Sequence, residues 1–197
     1  VPTPTADDGR TARRDRNRDA VLDAVLELFA QDALAPSAAQ VAERSGVSLR
    51  SVYRYFDDTD ELVRAAIERN LVRVRPLFEL DQLGEGPLEP RIERLVGSRV
   101  RLHDEVGPLM RATVLHAGEN AVLAGRLTTV RRTLGEQVEA MFAPELTALE
   151  PAVRREVAAS ADLLVSFEAL EHLCRVRGLS RAAATRASTR ALLRLLG

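Results

Sequence analysis

The chain has 197 residues, 46% hydrophobic and 29% charged, which is enough for one packed domain or two small ones and far from a disordered composition. Aromatics reach only 4%, Trp is absent and every basic residue is Arg, a profile that suits stacked helices better than a β-sandwich. A net charge of −1 gives no global support for nucleic-acid binding, and the single cysteine, Cys174, excludes an intramolecular disulfide.

Residues 1–9, rich in Pro, Thr and Asp, are predicted to be a disordered tail. They contain no apolar run of the kind a secretory leader carries, and no later apolar stretch nears the roughly 20 residues of a spanning helix, so a cytoplasmic protein with no membrane partner is expected. A helix over about 11–30 buries Val21, Leu22, Val25, Leu26, Leu28 and Phe29 on one face. Ser37, with Gln40 three residues on, begins a short second helix that Gly46 ends in a left-handed conformation. Ser48 caps a third helix to about Phe56, and Asp58 with the acidic Asp60 and Glu61 opens a fourth reaching Pro76. After the Gly84-Glu85-Gly86-Pro87 break, helices are predicted over 88–105, 108–117, 119–142, 150–177 and 180–196. The whole reads as all-α, about nine helices, with no period-2 strand.

The strongest constellation is Gln40-Val41-Ala42-Glu43-Arg44-Ser45-Gly46-Val47-Ser48-Leu49-Arg50-Ser51-Val52-Tyr53. Ala42 is small where two steeply crossing helices approach, Gly46 turns the chain four residues later, and Val41, Val47 and Val52 are spaced to fill the wedge between them. That is the pattern of a helix-turn-helix, or of two core helices joined by a glycine turn. The continuation, Tyr53-Arg54-Tyr55-Phe56 and then an acidic helix start with Leu62, resembles the TetR family of one-component regulators over residues 14–70. A weaker likeness runs through Leu164-Val165-Ser166-Phe167-Glu168-Ala169-Leu170 and Arg177-Gly178-Leu179-Ser180.

The resemblance implies that the third helix is the recognition helix. Ser48, Leu49, Arg50 and Ser51 would lie on its amino-terminal turn, with Arg50 reading guanine through a bidentate guanidinium. Tyr53 and Tyr55 would meet phosphates, unless either packs in the small core instead, and Arg44 and Arg54 would add phosphate contacts. Ser37 completes the set at the start of the second helix. The amino-terminal Arg10, Arg13, Arg14, Arg16 and Arg18 form a basic arm able to follow the DNA or simply a solvated helix start; Arg14 is the stronger candidate and Arg18 the weaker. Three features depart from the family pattern. A Lys usual at the start of the fourth helix is Thr59, after Asp57 and Asp58. The link before the second helix lacks its customary Gly and has Asp32 and Ala33. Position 49 is apolar and can touch only a thymine methyl.

The expected domains are the tail 1–9, a helix-turn-helix domain 10–58, a connecting helix 59–76 and an effector-binding and dimerisation domain 77–197. Leu163, Phe167, Leu170, Cys174, Ala191 and Leu195 leave more apolar surface than one helical layer needs, so they are candidate dimer residues; a two-fold homodimer also matches a palindromic double-stranded DNA operator. His103, Met110, Val114, His116, Phe142 and Phe167 are candidates for a pocket taking a small effector of apolar character, although core packing explains each of them too. His116 with Glu119, and Glu168 with His172, have helical spacing but no repeated motif, so no metal and no cofactor is expected. Nothing resembles a nucleophile–base pair, and no enzyme is expected. The resemblance implies a repressor released by its effector, the fourth helix carrying the signal. The rival is a helical dimer of the same fold that binds a ligand or a protein without specific DNA binding.

Overall fold

The computed structural model describes residues 6–197, with side chains from residue 11 onward. The described residues form ten α-helices and no strand: α1 (Ala6–Ala30), α2 (Ala38–Ser45), α3 (Leu49–Tyr55), α4 (Thr59–Val74), α5 (Leu88–Ala117), α6 (Ala121–Met141), α7 (Ala143–Leu146), α8 (Pro151–Val165), α9 (Phe167–Glu171) and α10 (Arg181–Leu196). A 3-10 turn, Arg75–Phe78, follows α4, and a π-helical turn, His172–Val176, follows α9. The all-α class expected from composition and periodicity is the one observed.

Three boundaries differ from expectation, each for a local reason. Helix α1 starts at Ala6, so residues 6–9 are helical rather than disordered, while residues 1–5 lie outside the described part. Gly107-Pro108 does not divide α5, which carries Pro108 in its interior. Proline forfeits one backbone bond there, and the helix is carried through by burial of Leu102 and Val106 before it and Leu109 and Ala112 after it, the preceding Gly107 relieving only the contact of its own missing Cβ with the ring. The helix expected over 150–177 is interrupted at Ser166, whose extended backbone (φ −65°, ψ 160°) lets its Oγ accept from the Ala169 N–H at 3.1 Å and cap α9.

The chain divides into two compact units, Val1–Arg73 with Pro108–Leu123, and Val74–Gly107 with Ala124–Gly197. The first therefore includes most of α4 and the last third of α5. Its core joins Val21, Val25 and Phe29 of α1 to Val41 of α2, Val52 of α3, Leu62 and Ile67 of α4, and Leu109 and Ala112 of α5. The second unit packs Ile92 and Leu95 of α5 against Val138 and Met141 of α6, Ala161 and Val165 of α8, and Leu192 of α10.

Arg91, 2% exposed, ties the second unit together. Its Nε donates to the Gly86 carbonyl at 3.0 Å and its Nη1 to the Met141 carbonyl at 2.6 Å and Glu145 Oε2 at 2.8 Å, while Nη2 donates to Glu145 Oε1. A buried guanidinium is tolerable only when its donors are satisfied in this way. Hydrogen bonds from Arg91 hold the Glu145 carboxyl below the usual carboxylate range, against the upward push of burial. A lowered carboxyl pKa stabilises the fold above the unfolded value of about 4.3 and loses that contribution as pH falls through the folded value. Urea unfolding followed from about pH 7 to about pH 3 should therefore show a shallower acid loss in Glu145→Gln, from a lower starting stability, than in the parent chain.

Candidate nucleic-acid interface

Helix α2 is fixed at both ends by local chemistry. Gln40 N–H donates to Ser37 Oγ at 3.3 Å and Ser37 N–H to Gln40 Oε1 at 2.9 Å, a reciprocal capping box. At the other end Gly46 adopts φ +68°, where a side chain would be strained. Ser48 then caps α3, its Oγ accepting from Ser51 N–H at 3.3 Å and donating to Ser51 Oγ at 3.0 Å. The wedge residues Val41, Val47 and Val52 are all buried, as their spacing predicts.

What the wedge leaves outside is the candidate surface. On α3, Leu49 is 41% exposed, Tyr53 55% exposed, and Arg50 and Arg54 are exposed. Ser48 and Ser37 are exposed; Ser51 is half-buried and engaged with Ser48. Tyr55 is half-buried against the first core, whereas Tyr53 does not pack there. Arg44 turns toward α1, donating to Gln31 Oε1 at 2.9 Å with Glu27 at 3.8 Å.

Helix α1 brings further cations to the α3 end. Arg13, Arg14, Arg16 and Arg18 are exposed, and the Arg18 guanidinium sits 5.1 Å over the Phe56 ring; the Arg10 side chain lies outside the described residues. Arg54 Nη2 donates to the Tyr55 hydroxyl at 3.2 Å and its guanidinium lies 5.2 Å from that ring. Burial pushes the Tyr55 hydroxyl up, but hydrogen bonds from Arg54 and Asn17 and the charges of Arg54 and Arg14 outweigh it, leaving its pKa below the ordinary tyrosine value. The group is an electropositive corner built from two helices. Asn17, half-buried, was not legible as part of it, since a lone polar position on a basic helix carries no sequence signal.

Residues 21–66, the span that builds this wedge, match the family model for bacterial regulatory proteins, tetR family. The amino-terminal domain belongs to the tetR family. With that domain the chain is a DNA-binding transcriptional regulator. A solved Clostridium perfringens structure, named as a candidate regulator of fatty acid metabolism, aligns with 90% of this chain and 96% of its own at TM-score 0.58 and 14% identity, a likeness of fold alone. A comparison with curated proteins found no match.

Outside the tetR-family domain, the candidate effector residues do not assemble as one set. Met110, Val114 and His116 belong to the first unit, and His103, Phe142 and Phe167 to the second. Val114 is 43% exposed, His116 Nε2 lies 3.0 Å from the Leu34 carbonyl, and Phe142 is fully buried in the second core. Only His103 and Phe167 are brought into ring contact, centroids 5.4 Å apart, with His103 Nε2 2.8 Å from Glu171 Oε1. The candidate dimer residues fare differently. Leu163 and Ala191 line an apolar groove of about 470 Å3 between α8, α9 and α10. Leu163 is 64% exposed; Phe167, Cys174 and Leu195 are half-buried. Leu170, 3% exposed, is already covered by its own chain and is withdrawn from that set. Among the described residues no group of three or more His, Cys, Asp or Glu is placed to hold a metal, and no helix is long and apolar enough to cross a membrane.

An added Cβ at Gly46 would meet no atom within 4 Å, so substitution there costs backbone strain and nothing else. Gly46→Ala should lower stability by about 1 kcal/mol and Gly46→Asn by less, because asparagine tolerates the left-handed region; urea midpoints of the three proteins check both.

Proposed function

We infer that the chain is a repressor that sits as a homodimer on a palindromic operator and leaves it when a small effector of apolar character binds the second unit. The observation that carries this reading is the exposed amino-terminal turn of α3, where Leu49 and Arg50 project beyond a fully buried wedge. Arg50 is the base reader, because a guanidinium can bond guanine O6 and N7 together. Tyr53, Tyr55, Arg54, Arg14 and Arg44 set register through phosphates, and Ser37, Ser48 and Ser51 position the two helices through their capping bonds. Binding would shift the population toward a conformer whose recognition helices no longer match two half-sites a helical turn apart.

The dimer reading is supported by the apolar groove between α8 and α10, lined by Leu163, which is itself 64% exposed. A second copy presenting the same face would cover Leu163 and Ala191 and the half-buried Phe167, Cys174 and Leu195. The apolar make-up of the second unit's core suits an apolar effector, with His103 and Phe167 as the contact pair it would meet. A likeness to a fatty acid metabolism regulator points the same way. Against the rival reading, a dimer without specific DNA binding, stands the convergence of Arg54, Arg14 and Tyr55 on one corner.

Selection of bound duplexes from a random pool by the purified protein tests the reading, a recovered palindrome upholding it and an unenriched pool at low salt sinking it. On the recovered duplex, Arg50→Ala should flatten base preference at one position per half-site, costing about tenfold to a hundredfold there, while Tyr53→Phe weakens specific and random duplexes alike. Equal losses on both duplexes for Arg50→Ala would remove it as a reader. In sedimentation velocity, Leu163→Glu should convert a dimer to a folded monomer, with its helical circular dichroism retained.

A further inference from the structure

Asp32 is a non-glycine residue in the left-handed region, φ 60°, at the point where α1 hands over to α2. Such a conformation persists only where neighbours hold it. The end of α1 supplies part of the hold, Asp32 N–H donating to the Phe29 carbonyl at 2.9 Å and Ala33 N–H to the Leu28 carbonyl at 3.0 Å, and side chains from far along the chain add to it. Arg111 Nη2 donates to Asp32 Oδ1 at 2.8 Å, and His116 Nε2 lies 3.0 Å from the Leu34 carbonyl. Both side chains belong to the last third of α5, and Leu109 and Ala112 from the same stretch are buried in the first unit's core. The Arg111 side chain is 18% exposed and that of Asp32 50%, so the pair is sheltered from solvent on the arginine side alone.

Helix α5 begins at Leu88 in the second unit and passes into the first at Gly107-Pro108, in mid-helix. Pro108 cannot donate to the Asp104 carbonyl, so the backbone ladder is interrupted where the helix changes unit. The stretch beyond that point is held to the first unit by apolar burial and by the two polar ties to the α1–α2 link. We propose that Asp32, Leu34, Arg111 and His116 form a latch through which the last third of α5 sets where α2 sits, and with it how the helix-turn-helix is presented to DNA. The latch rests on the proposed DNA reading only for its second readout.

The test uses the full chain with Arg111→Met, Asp32→Asn and the double variant; asparagine keeps the tolerance for φ near 60° and removes only the charge. In the protein without DNA, amide hydrogen exchange over residues 33–41 should quicken about tenfold in each single variant and no further in the double. Exchange at Val21 and Val25 in α1 should stay unchanged, which separates local release from global unfolding. On the duplex recovered by selection, affinity should fall about tenfold in each single variant and again no further in the double, with random-duplex affinity unmoved. Unchanged exchange over 33–41 in both single variants overturns the latch whatever the DNA result. Quickened exchange with unchanged specific affinity overturns its link to DNA presentation. If the parent protein recovers no duplex, the regulator reading fails, and exchange over 33–41 still decides the latch.

Discussion

Helix α3 is seven residues long and α2 eight, while an isolated helix in water needs roughly 12–15 residues to be even marginally stable. Neither can therefore exist without the wedge of Val41, Val47, Val52 and Phe56 that ties them to α1 and α4. Burying four such side chains contributes several kcal/mol, on the order of 1.5–3 kcal/mol each, which outweighs what two short helices cost to nucleate. The consequence for function is directional. Because every wedge residue faces inward, the outward residues of α3 are those the wedge cannot use, and Arg50 and Tyr53 gain their fixed positions from residues that never touch solvent.

This part of the molecule was legible because its determinants are local. A capping box spans three residues, a left-handed glycine is one residue, and the spacing of valines repeats within a dozen positions. Phe56 and Tyr55 show the limit even here: adjacent aromatics at the end of α3 have opposite fates, one sealed in the core and one half-open, and only the packing of α1 with Arg18 and Asn17 decides which.

The remainder was less legible because it depends on residues distant in sequence or on competition between local rules. Pro108 reads as a break by backbone chemistry, yet the helix continues, since Leu102 and Val106 before it and Leu109 and Ala112 after it are all buried. Ser166 sits inside an unbroken apolar stripe, and the stripe loses to a serine cap. The missing glycine before α2 looked like a gap in the pattern. Asp32 fills it by taking the left-handed backbone itself, capped by the Phe29 and Leu28 carbonyls, and its side chain is bonded by Arg111, 79 positions away. No periodicity within a window can show such a tie. The scatter of the effector candidates over two units has the same origin, since Met110 and Phe142 look alike as apolar residues on amphipathic helices.

The acidic start of α4 is the feature most at odds with DNA binding, and its bonding changes how it weighs. Asp58 Oδ1 accepts from the Glu61 N–H at 2.7 Å, and Glu61 Oε2 accepts from the Asp57 N–H at 2.7 Å, so both carboxylates cap the positive end of a helix. Partial positive charge from the helix end offsets part of their field, but it also occupies the backbone donors that a phosphate would otherwise use there. On the proposed reading a lysine at position 59 would have been one anchor, and Thr59 brings no cation there. The replacement has to lie on the other flank of α3, where Arg14, Arg18 and Arg54 surround Phe56 and Tyr55. A chain with net charge −1 can thus carry a DNA-binding face, because its arginines are distributed by role. Arg91 and Arg99 are buried in the second unit, Arg99 with its pKa pushed down to about 10 by that burial, while Arg14, Arg18 and Arg54 remain exposed around Phe56 and Tyr55.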